Sequence, residues 1–286
     1  MIKLLKGDFI RLFKSKIFWL GVVFMFGFAG FIVYERYREM RQYPDYYNYT
    51  DSMLFAGAMF IGIVIALVIG SFIGTDYKNG TVRNKLTIGH SRISMYLSNL
   101  IICAVTSIII HAIWFLVFFA SEKLGLIRGF ETPYTKIIAL VFISFLPIIA
   151  FTSLFMMICM LITSKSTGSV TVLVLSFIML MSVTAIYSEL TAPEYYEPYI
   201  ITSINEDGEE IEEYFEGERN RFYPTGIKRK IYEFLYDVIP NGQIIQIADM
   251  ESITADKVEL VSLYSLSLIA ITTAAGIILF RKKDLK

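Results

Sequence analysis

Between Asp76 and Arg92 the sequence places one acid and four cations, Lys78, Arg83, Lys85 and Arg92, in a stretch flanked on both sides by long apolar runs. Charges of that type do binding chemistry. Guanidinium and ammonium groups pair with carboxylates on a partner surface and orient the partner while attracting it. Gly80 suits a tight bend or helix start, and Asp76 is available to cap one. Too short for a domain, the stretch Gly70–Tyr96 is expected to fold as a surface helix offered to something outside the bilayer, with Tyr77 and Thr81 beside the charges.

Elsewhere, residues that could do chemistry are few. Neither a phosphate-binding Gly-x-x-x-x-Gly-Lys-[Ser/Thr] loop nor a zinc-protease His-Glu-x-x-His motif occurs. Cys103 and Cys159 both fall in apolar runs and read as small core residues. Each apolar run lacks Asp, Glu, Lys and Arg near its centre, and His111 is the single titratable group there. Ion-coupled transporters hold their ions on such buried groups, so this chain is expected to lack its own energy source. The doublets Glu209-Glu210 and Glu212-Glu213 read as a solvated acidic surface. No catalytic, cofactor-binding or metal-binding residue is expected, and the chain is not read as an enzyme. With net charge +0, nothing attracts it to nucleic acid.

Composition sets the class. Of 286 residues 55% are hydrophobic and 18% charged, and mean hydropathy is +0.58. A soluble domain carries about a quarter charged residues. The apolar residues come in six blocks, so we expect one all-α integral membrane domain over 1–286 with spans at 17–34, 53–74, 96–121, 136–163, 168–188 and 258–280. Residues 1–16, with five cations and apolar residues at near-helical spacing, predict an amphipathic interface helix. In the second span Ala58, Gly62, Ala66, Gly70 and Gly74 repeat every four positions. Such a stripe lets another helix approach closely, either within the chain or in a second subunit. Pro147 is expected to kink the fourth span.

The segment 189–257 is long and acidic, with sixteen Asp and Glu against six Lys and Arg. INEDGEEIEEYFEGERN reads as a loop or small hairpin turning at Asp207-Gly208, and Ile231–Met250 as amphipathic, interfacial or re-entrant helix. With this segment excluded, fourteen cations fall on the N-terminal side and six on the other, which puts both termini in the cytoplasm and 189–257 outside.

Asp76-Tyr77-Lys78-Asn79-Gly80-Thr81, then Arg83, Leu86 and Ser91-Arg92, resemble the signature connector of type-2 ABC exporter permeases. That family reads Glu-Tyr-x-x-Gly-Thr-x-Arg-x-x-Leu, then a Pro-containing turn and Ser-Arg. Asp76 stands where Glu is usual, and Gly89-His90 where Pro is often found. The resemblance implies a cytoplasmic coupling helix at Asp76–Ser91 between spans two and three, seated on a cytoplasmic ABC ATPase. Two such ATPases, which carry the ATP and magnesium, would drive two permease chains, as a homodimer or with a related partner. It also implies a passenger pathway near the dimer interface, involving spans two and five and the hydroxyls of Ser169, Thr171 and Ser176. The expected function is a permease in a bacterial cell membrane, exporting an amphiphilic substrate such as an antimicrobial peptide, a drug or a lipid-like molecule. A membrane sensor or scaffold and an ATPase-independent channel are the rival readings.

Overall fold

The computed structural model describes residues 2–43, 50–204 and 210–284. Its elements run α1 (Ile2–Lys14), α2 (Lys16–Gln42), α3 (Asp51–Leu54), α4 (Ala56–Lys78), α5 (Thr81–Thr87), α6 (Arg92–Lys123), α7 (Tyr134–Leu161) and α8 (Lys165–Thr191). A two-stranded antiparallel hairpin follows, β1 (Tyr199–Ile204) and β2 (Glu210–Phe215), then α9 (Gly226–Val238), α10 (Pro240–Ala248) and α11 (Ala255–Lys282). Asp207-Gly208, the expected turn, lies outside the described residues.

Among the described residues six helices, α2, α4, α6, α7, α8 and α11, are long and apolar enough to cross a membrane, so the chain is a multi-pass membrane protein. Each extends past its apolar block at one end or both, because polar residues continue a helix beyond the point where hydropathy falls; α4 begins inside its block, at Ala56, and α7 ends short of its own, at Leu161. Helix α2 runs eight residues past Tyr34, to Gln42. Hydroxyl caps start three helices: Ser91, Ser164 and Thr254 accept from the backbone N–H of Ser94, Thr167 and Lys257 at 3.2–3.3 Å. Helix α7 continues as one helix through the buried Pro147.

Helix α4 is central, with 67% of its most apolar window buried, against 28% in α2 and α8 and 22% in α11. Its small-residue stripe explains why. A Cβ on Gly70 would stand 2.8 Å from the Ser169 Cα of α8, and one on Gly74 would stand 3.0 Å from the Lys165 Cα. Gly62 faces the Phe151 ring of α7, and Ala58 and Ala66 are fully buried. This chain's own α7 and α8 therefore pack on the stripe at Gly62, Gly70 and Gly74.

Helix α10 folds back among the ends of α4, α7, α8 and α11. Its Asn241 donates to the Met59 carbonyl (3.3 Å), and its Gln243 accepts from Ser265 (2.6 Å) and donates to the Asp237 carbonyl (2.8 Å). We call this the hairpin end of the bundle and the α4–α5–α6 junction the connector end.

Candidate functional site

The connector is built from two glycines and a short helix. Helix α4 carries on past Gly74 to Lys78, then Gly80 turns the chain at φ +67° and Gly89 turns it back at φ +95°. Both values lie in the left-handed region that glycine occupies without a Cβ clash. The helix between them, α5, has seven residues, shorter than the expected Asp76–Ser91, and buries one side chain fully, Val82.

The eight connector residues divide by direction. Lys78 and Arg83 are exposed, with no ion-pair partner among the described residues, and Gly80 and Thr81 are half-buried at the turn. Ile88, which caps the end of α5, is 77% exposed. Asp76, Tyr77, Lys85 and Arg92 turn inward. Asp76, 1% exposed, caps nothing; it accepts from Arg11 of α1. Lys85 donates to Asp8 at 2.8 Å and stands 3.8 Å from Asp76. Asp8 also accepts from Ser98 of α6 at 2.8 Å, and Arg11 lies 4.2 Å over the Phe72 ring. Two acids and two bases make this buried cluster neutral, the condition on which burial of charge depends.

A second junction forms around Tyr77. Its hydroxyl donates to the Met160 carbonyl of α7 at 2.5 Å and accepts from Lys283 at 3.0 Å. Lys283 also donates to the Met160 carbonyl, and burial pushes its ammonium down to about 8. Arg92 donates to the carbonyls of Phe280, Arg281 and Lys283, and so satisfies the open end of α11. Asp76 and Tyr77 are thus fasteners: one holds α1, the other α7 and the end of α11.

The hydroxyl trio of α8 does not share one surface. Ser169 packs on Gly70, Ser176 is buried with its hydroxyl bonded to the Leu173 carbonyl, and Thr171 is exposed on the opposite side. His111 is fully buried, 2.9 Å from the Ser144 hydroxyl and edge-on to Phe115 and Phe145, a packed polar link between α6 and α7. Cys103 and Cys159 are buried free thiols.

Reading the connector by itself misses Asp8, Arg11, Ser98 and Lys283. A signal for Asp8 is present in α1: it stands four residues from both Leu4 and Leu12, in the middle of the stripe that becomes buried.

No curated protein matches the chain closely enough to count as a relative. The family model described as "ABC-2 family transporter protein" matches residues 4–183, from the clustered charges of α1, through the connector, to most of α8. A match over more than half of the chain that includes both halves of the buried cluster settles the family: this chain belongs to the ABC-2 family of transporter proteins, as a membrane permease.

Proposed function

We propose that this permease is the membrane half of an ATP-driven exporter, moved by a separate ATPase that docks on α5 from the cytoplasm. The observation that carries the reading is the outer face of the connector. Lys78 and Arg83 are exposed cations and Ile88 is an exposed apolar side chain, on a connector whose inward residues are fastened to the bundle. A partner surface rimmed with carboxylates complements those cations. Two ATPase copies carrying ATP and magnesium serve two permease chains, as a homodimer or with a related permease. Both termini lie in the cytoplasm of a bacterial cell.

The second chain meets α8 rather than the α4 stripe. Thr171, Val174, Ile178, Met181 and Ser182 form one exposed face of α8 at helical spacing, apolar with a hydroxyl at each end. That surface suits an amphiphilic passenger better than the buried Ser176. A peptide, drug or lipid-like molecule meets this description, and the acidic hairpin segment outside, with Tyr195, Tyr196 and Tyr214 exposed, favours cationic ones.

Copurification tests the reading. An ATPase subunit is expected to copurify with the chain, and hydrolysis is expected to depend on both. Arg83→Glu is expected to lower coupled ATP hydrolysis several-fold while leaving the level of membrane-inserted protein unchanged; equal hydrolysis in both proteins would remove Arg83 from the dock. A preparation that captures no ATPase and passes current across a bilayer without nucleotide would establish the channel reading in its place.

A further inference from the structure

We infer that Asp8, Arg11, Asp76 and Lys85 are positioning residues: a charge clasp that makes α1, α5 and the connector end of α4 move as one body and passes that movement to α6 through Asp8 and Ser98.

The need for such a device follows from the size of α5. A helix of seven residues with one fully buried side chain, Val82, has little packing through which to push on anything. Packing alone would let it slide or rotate on the end of α4. The Lys85–Asp8 pair supplies the missing constraint. It is short (2.8 Å), and its two side chains are 12% and 4% exposed, so water neither screens nor replaces it easily. From Asp8 the contacts spread in three directions: to Lys85 on α5, to Arg11 on α1 itself (3.4 Å) and to Ser98 on α6 (2.8 Å). Arg11 closes the ring onto Asp76, the last acid of α4, and lies over Phe72 one turn earlier.

Position in the chain gives the clasp its meaning. Asp8 and Lys85 are 77 residues apart, and Arg11 and Asp76 are 65 apart, so neither pair stabilises a local element. They hold α1 against a junction it does not adjoin in sequence. Removing one charge strands its partner in a buried site, whereas removing both of a pair leaves no unpaired charge. A clasp therefore responds to single and double neutralisation in opposite ways, which a simple packing contact does not.

Two arms test this, and only the second rests on the ATPase reading. In the first, Lys6→Cys and Asn84→Cys, exposed positions on α1 and α5, carry spin labels in the full chain; the native cysteines are buried and stay unlabelled. Pulsed electron resonance should give one narrow α1–α5 distance. Lys85→Met should broaden it, and Asp8→Asn added to Lys85→Met should narrow it again. A broad distance in the unmodified clasp, or one unchanged by Lys85→Met, overturns the inference. In the second arm the complex with its ATPase is reconstituted. Asp8→Asn is expected to keep ATPase binding and basal hydrolysis but to reduce substrate moved per ATP about ten-fold, with recovery in Asp8→Asn/Lys85→Met. Loss of basal hydrolysis and transport in equal proportion would reduce the clasp to a structural staple. Should no ATPase bind the unmodified chain, the exporter reading fails, and the spin-label arm still decides the clasp. The doubly neutral variant keeps both arms open if a single variant folds poorly.

Discussion

The two ends of the helix bundle differ in how their charges are connected: one four-membered cluster at one end, separate pairs at the other. At the connector end the fasteners are whole charges: Asp8, Arg11, Asp76 and Lys85 in one cluster, and Lys283 over the Tyr77 ring beside it. At the hairpin end amides and backbone groups do much of the fastening, beside separate ion pairs, Lys257–Asp237 and Lys228–Glu189, each at 2.6 Å. Asn241, Gln243 and Gln246 bond carbonyls and a serine hydroxyl, and the Asp51 carboxylate accepts the N–H groups of Glu131 and Thr132. Charges attract over distance and lose their balance when one member is removed. Amide bonds act only at contact and fail singly. The connector-end charges should therefore respond to substitution as a set, and the hairpin-end contacts one at a time.

Substitution should expose that difference. Asp76→Asn strands the Arg11 guanidinium, and thermal unfolding in detergent is expected to show a loss of about 3 kcal/mol, moderated by the part of Arg11 that water reaches. Most of that loss should return in Arg11→Met/Asp76→Leu; if it does not, the cluster is not acting as a balanced set. Gly70→Val tests a third kind of contact, one of shape alone. Forcing a side chain against the Ser169 backbone should cost about 2 kcal/mol, and it should separate α4 from α8 without altering the α1–α5 distance. Gln243→Ala at the hairpin end should cost about 1–2 kcal/mol, with no rescue from any second substitution, as expected of contacts that fail one at a time. A charge-like rescue there would collapse the distinction between the ends.

The smallest effect concerns pH. Lys283 is held down to about 8 by burial, against 10.5 for a free lysine. Between those values the unfolded chain binds the extra proton and the folded chain does not, so stability rises with pH across that window. The unmodified protein should gain slightly in melting temperature from pH 8 towards 10.5 relative to Lys283→Met. Equal slopes in the two proteins would show that the ammonium is hydrated rather than packed on Tyr77.

How far the site can be read in advance depends on where each partner lies. The connector's place follows from the charged stretch between two apolar runs, and Gly80 is legible as its bend. The helix itself is shorter than the sequence suggests, because Gly89 turns the chain back at φ +95°. The inward turn of Lys85 does not follow, because its partner is 77 residues away and the flanking cations Arg83 and Arg92 look alike in sequence. One of them faces out and the other ties down the end of α11. The small-residue stripe is equally plain in the sequence, but whether α8 or a second chain fills it depends on which helix reaches it.

Membrane class, the number and order of the spans, and the place of the connector are written in composition and hydropathy, because the bilayer sorts a chain by properties that add up along it. Which way each charge of the connector points was decided only by tertiary structure. A charge turns inward where an opposite charge from a distant helix arrives to balance it, and no local pattern carries the address of that partner.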